Sequence, residues 1–138
     1  MNKTSLLNTS FCLLAFSALS FTTMALAAED CSKKTSDPEV FTCAANNRTV
    51  AEKQLNSAYA DAKKRIDAAF SQDADIKKQY LAVFLDSQRS WLKYRDTQCQ
   101  LVAHIADKNS NPYQVFTNNC IANLDEERTK QLKEIPYD

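Results

Sequence analysis

The chain has no glycine among its 138 residues. Tight two-residue hairpins need a positive φ, which Gly or Asn-Gly supplies. Phosphate-cradling loops rely on glycine for close backbone approach. The composition therefore argues against a β-rich architecture and leaves no phosphate loop. A helix interior makes no such demand, and here helical periodicity is the dominant pattern.

Apolar residues recur at Ala51, Leu55, Ala58, Tyr59, Ala62, Ile66, Ala69 and Phe70, in steps that mark one helical face. Lys53, Asp61, Lys63 and Lys64 fall mostly off that face. Asp37-Pro38 reads as a cap with a first-turn proline, from which a short turn leads through Cys43 into the long helix. Ser71-Gln72-Asp73 breaks the pattern, and Asp73 is an N-cap for a second helix. Its apolar line runs Leu81, Phe84, Gln88, Trp91, Arg95, Cys99, Val102 and Ile105, widened by Leu85, Leu92 and Leu101. The polar run from Asp107 to Asn111 is a loop, and Asn111-Pro112 caps a third helix. That helix carries Phe116, Cys120, Ile121, Leu124, Arg128 and Leu132 on one face and stops at Pro136. The expected fold is all-α: a small antiparallel bundle of three main helices.

The N-terminus reads as an export signal. Lys3 is the sole charge before Glu29, Leu6 to Phe21 is largely apolar, and Ala25-Leu26-Ala27 suits a signal peptidase. The run is too short and too rich in Ser and Thr for a membrane span. Neither Cys12 nor Cys31 sits in a lipidation context, so no stable membrane anchor is expected. The expected division is residues 1–27 as a signal peptide and 28–138 as one helical domain in the periplasm or secreted. Without Lys3 the domain carries 16 basic and 17 acidic residues, which disfavours nucleic acid as a partner.

Four cysteines remain, Cys31, Cys43, Cys99 and Cys120. In an exported chain an even count reads as two disulfides. Their wide spacing and the lone His104 do not suit a metal site, so neither a metal nor a cofactor is expected. Folding helices two and three as a hairpin about residues 109–110 brings Cys99 opposite Cys120. Cys31–Cys43 is then the second bond.

The same register places Arg95 near Leu124 and Trp91 near Arg128. Two arginines and the one tryptophan thus share a seam. One reading is internal: both arginines lay their stems on Trp91 and bond carboxylates such as Asp96 or Asp125. The other is a polar anchor for a partner protein, since Trp, Tyr and Arg dominate interface hot spots. An enzyme is not indicated. His104 stands alone at a helix end, the cysteines are consumed, and the carboxylate pairs look like caps or solvated faces.

Three stretches carry a family resemblance: Leu55-Asn56-Ser57-Ala58-Tyr59; Gln88-Arg89-Ser90-Trp91-Leu92-Lys93-Tyr94-Arg95-Asp96-Thr97-Gln98-Cys99; and Cys120-Ile121-Ala122-Asn123-Leu124 with Arg128 and Leu132. Together with Cys31 and Cys43 they resemble the LprI-like lysozyme inhibitor family, formerly a domain of unknown function. The resemblance spans essentially the whole of residues 28–138. It implies an exported helical domain that inhibits a lysozyme-type glycoside hydrolase. The alternative is an envelope-stress or immunity-type protein that binds another cell-wall enzyme or a small polar ligand, also without catalysis. The chain departs from relatives that carry glycines before the last helix, since Ala106 to Pro112 has none. It also lacks the lipoprotein cysteine of some members. The signature residues Gln88, Arg89, Trp91, Tyr94, Arg95, Asp96 and Arg128 serve either the core or binding. An inhibitor must present a donor to the two acids of a muramidase cleft. Lys108 in the hairpin loop, Arg89 and Lys93 on the outer face of helix two, and Tyr113 are the expected contacts.

Overall fold

A computed structural model describes residues 28–137. The expected signal peptide, residues 1–27, lies outside the described residues, as does Asp138. A short 3-10 turn at Cys31–Lys33 precedes three helices: α1 at Asp37–Ala69, α2 at Ala74–Ala103 and α3 at Asn111–Lys133. No strand occurs among the described residues.

The helix starts follow local chemistry, with two caps lying one residue earlier than the prolines suggest. Ser36, not Asp37, is the N-cap of α1. Glu39 reaches back to accept from the Ser36 backbone N–H (3.2 Å) and hydroxyl (2.6 Å), the return half of a capping box. The helix then runs unbroken through Cys43, so no separate turn precedes it. Asp73 caps α2 as expected, accepting from the Ile76 N–H at 2.9 Å. Ser110, not Asn111, caps α3 by accepting from the Tyr113 N–H at 3.3 Å. In both corrected cases a serine hydroxyl outranks the Asp or Asn beside the proline, because that residue already has helical backbone.

The chain runs up, down and up. α2 is antiparallel to both neighbours: Phe84 stacks on Tyr59 of α1 at 4.8 Å, and Gln88 meets Arg128 of α3. α1 and α3 run in the same direction, since Arg48 reaches Asn118 while Arg65 reaches the Leu132 carbonyl oxygen. They form the most extensive interface between the described helices. Ala44, Ala51, Ala58 and Ala62 on α1 and Ala122 on α3 are all buried. Small side chains let the two backbones approach closely, and the interface needs little side-chain volume to fill it.

The larger apolar side chains gather at the α1–α2 turn. Leu55, Ile66, Phe84, Leu132 and Ile135 are buried together, with Tyr59, Phe70, Tyr80 and Trp91 packed around them. Toward the opposite end Ile121 is the one large apolar side chain buried among the described residues, the rest being alanine and cysteine, and both disulfides lie there. Cys31–Cys43 and Cys99–Cys120 pair as the hairpin register requires, with Cα–Cα distances of 5.8 and 5.5 Å. Covalent staples thus hold the end that apolar burial secures least.

The apolar faces need several corrections. On α2 the buried line steps by four from Cys99 to Ala103, which is fully buried. Val102 (42%) and Ile105 (81%) are exposed, as are Leu85, Leu101 and Phe116. Ala69 is exposed at the fraying end of α1. The helices draw together at the staple, and an alanine methyl continues the line through Cys99 there. Arg65 closes the C-terminal end, donating from Nε to the Ile135 carbonyl (2.8 Å) and from Nη2 to that of Leu132 (2.6 Å). The Leu132 carbonyl also accepts from the backbone N–H of Ile135 at 3.4 Å, so Arg65 ties the last turn of α3 and the tail beyond it to α1.

Candidate functional site

The α2–α3 seam holds the signature residues. Both arginines lie over Trp91, the Arg95 carbon at 5.8 Å from the ring centroid and that of Arg128 at 5.7 Å. Each contact is of cation–π type, and the partly buried indole shields both charges. The predicted register is therefore met at Trp91 and Arg128, while Arg95 lies level with Asp125, one position from Leu124.

The two arginines find different partners. Arg95 donates from Nη1 to Asp125 Oδ1 at 3.0 Å and from Nε to Asp96 Oδ1 at 2.9 Å. Glu52 lies 4.0 Å from Nη1 and also bonds Arg48, which reaches Asn118. Burial opposes the Arg95 charge, but hydrogen bonds to Asp125 and Asp96 outweigh it, so the guanidinium pKa is raised. Asp125 is fully buried, and its Oδ2 and the Thr129 hydroxyl have no hydrogen-bond partner among the described residues. Burial raises the Asp125 pKa above its usual 3.8, with the Arg95 hydrogen bond offsetting this only in part. The two values rise for different reasons: burial lifts Asp125, while two aspartate acceptors lift Arg95.

Arg128 departs from the expectation that both arginines bond carboxylates. Its Nε donates to Gln88 Oε1 (3.1 Å), Nη1 to Gln131 Oε1 (2.9 Å) and Nη2 to the Ser87 hydroxyl (3.3 Å). All three acceptors are neutral, and burial pushes the Arg128 pKa down. Ser87 and Gln131 were not singled out by sequence, because neutral polar residues on a helix surface carry no periodic signal.

The remaining candidates lie elsewhere. Arg89 and Lys93 are exposed on the outer face of α2, Arg89 with Asp86 at 4.0 Å. Tyr94 is 53% exposed there and takes no part in the seam. Lys108 and Tyr113 lie at the hairpin tip, far along the bundle from Trp91. Lys108 is exposed and makes no ion pair with a described residue; Tyr113 is half-buried. The tip is internally tied: Ser110 donates its hydroxyl (2.7 Å) and backbone N–H (2.8 Å) to the Asp107 carbonyl, and Ala106 N–H bonds Ala103 O at 3.0 Å. Exposed Leu101, Ile105 and Phe116 lie in the helix turns that flank this loop. Among the described residues no group of three or more His, Cys, Asp or Glu side chains could hold a metal ion. No described helix is long and apolar enough to cross a membrane.

The geometry defines a class of protein: a small helical domain, closed by two disulfides, whose central polar residues are turned inward on one another. The chain belongs to the family described as lysozyme inhibitor LprI, whose sequence profile matches residues 28–132. It is 30% identical over 109 residues to an uncharacterized protein of Rhizobium meliloti (strain 1021), covering 77% of this chain and 78% of that one. It is also 30% identical over 118 residues to the uncharacterized protein YecT of Escherichia coli (strain K12), covering 78% of this chain and 72% of YecT. A crystal structure of a DUF1311 family protein from Pseudomonas putida KT2440 superposes with a TM-score of 0.67 at 31% identity, covering 75% of this chain and 96% of the other.

Proposed function

We propose that the protein is an exported inhibitor that blocks a lysozyme-type muramidase by inserting its α2–α3 hairpin tip into the catalytic cleft. Membership of the LprI family supports the target class. The observation that carries the choice of surface is Ile105, 81% exposed at the end of a loop held by its own hydrogen bonds and by Cys99–Cys120. A pre-ordered loop loses little entropy on docking. Lys108 supplies a cation for the two cleft carboxylates, while Leu101, Ile105 and Phe116 supply apolar contact. Arg89 and Lys93 lie too far down α2 to share that contact and would serve at most a rim. The action is occlusion without turnover, cofactor or metal, in the periplasm or outside the cell after residues 1–27 are removed.

The test is a cell-wall lysis assay of the oxidised protein against several lysozyme types, repeated with Lys108→Glu and Ile105→Asp. Inhibition by the natural chain, with at least tenfold weakening in both variants and unchanged melting temperatures, supports the reading. No inhibition of any lysozyme at micromolar excess defeats it. Inhibition that both variants retain moves the contact surface elsewhere.

A further inference from the structure

At the end of the bundle away from the hairpin tip, α2 and the tail after α3 enclose a groove of about 450 Å³. Ile76, Tyr80, Val83, Phe84, Ile135 and Tyr137 line it, and Arg128 forms part of its wall. The tail is pinned across α2 by the Tyr137 N–H donating to the Tyr80 hydroxyl at 3.3 Å. Ile76 (48%), Val83 (71%) and Tyr137 (62%) form an open apolar lip, while Phe84 and Ile135 form a buried floor.

Arg128 is the unusual element. It is 8% exposed, yet no acid among the described residues pairs with it. Its three hydrogen bonds go to Gln88, Gln131 and Ser87, which leaves two of the five guanidinium N–H donors without a partner among the described residues. A buried cation without a counter-charge is costly, and its neighbour Arg95 shows the ordinary remedy with two aspartates. Gln88, Ser87 and Gln131 position the Arg128 guanidinium without neutralising it. Burial also lowers the Arg128 pKa, in keeping with a charge that lacks its partner.

We propose that this groove binds a small amphiphilic carboxylate, its apolar body along Val83, Tyr80 and Tyr137 and its carboxylate on Arg128. The volume suits one small-molecule ligand, and a mostly apolar lining with a single charged group is the usual form of such a site. A carboxylate can take both free N–H donors, and the low-dielectric wall strengthens that contact relative to water. The site is separate from the hairpin tip, so neither proposal depends on the other.

The experiment titrates the full oxidised domain with octanoate and, in parallel, with 1-octanol, following the Arg128 Nε–H resonance by NMR and the heat by calorimetry. The expected result is saturable octanoate binding that shifts the Arg128 Nε–H signal, with octanol at least tenfold weaker. Val83→Glu places a like charge on the exposed lip without touching the core, and should weaken octanoate at least tenfold at an unchanged melting temperature. Three outcomes overturn the proposal: no saturable octanoate binding, equal affinity for octanol, or full affinity in Val83→Glu.

Discussion

Arg95→Met removes a buried cation but keeps most of the stem that packs on Trp91. Asp125, fully buried, then has no positive partner within the seam, because Arg128 bonds only neutral acceptors. Breaking a buried pair from one side costs roughly 3–5 kcal/mol. Set against a total stability of roughly 5–15 kcal/mol, that is a large share. For a domain near this size each kcal/mol moves the melting point by about 4 °C, so a fall of about 12–20 °C is expected. The assay is thermal and urea unfolding of the oxidised protein by circular dichroism. The loss must also depend on pH. The Asp125 carboxyl already sits above its usual 3.8 in the folded protein. A raised folded pKa contributes stability that is full below the unfolded value and lost as pH rises through the folded one. Without Arg95 that rise steepens, so the deficit relative to the natural chain grows from mildly acidic to neutral pH. Arg95→Met combined with Asp125→Leu removes both charges and should regain most of the loss. A double variant as unstable as Arg95→Met, or a deficit equal at both pH values, would refute the pairing argument.

Replacing Cys99 and Cys120 together by serine opens a 21-residue loop and should cost about 3 kcal/mol by chain entropy, read as a lower denaturant midpoint with α-helical signal retained. The same variant tests the hairpin-tip proposal, because inhibition should fall further than stability alone accounts for. Trp91→Ala removes the surface on which both arginines lie and should cost roughly 2–4 kcal/mol in thermal unfolding. Trp91→Phe keeps a ring and should recover more than half of that; equal loss in the two variants would show that the ring face contributes nothing.

Helix count, direction and disulfide pairing were all legible in the chain. A glycine-free sequence with two long apolar periodicities, a polar loop and a third periodicity has few compact arrangements other than a helical bundle. The pairing of Cys99 with Cys120 followed from hairpin register, because residues equidistant from a turn must meet. The same register brought Trp91 to Arg128. The caps were misplaced by one residue because serine and the following Asp or Asn are both good caps, and the tie is decided by backbone geometry.

The buried ends of the faces were not legible. From Cys99 helical periodicity allows a step of three to Val102 or of four to Ala103, and only the close approach of α2 and α3 at the staple selects the alanine. Nor could spacing separate Arg95 from Arg128, since each arginine falls on the apolar line of its own helix and the hairpin register sets both beside Trp91. The sequence alone determined that the chain is a disulfide-closed helical bundle with two arginines and a tryptophan at its seam, because that follows from period and register along one dimension. Which arginine pairs with acids, and which meets only neutral acceptors among the described residues, was decided by three-dimensional packing. Asp125 lies on the α3 face that turns toward Arg95, while Arg128 faces the wall that α2 and the returning tail build around it. Pairing between charges depends on where three separate elements converge, and no local pattern carries that information.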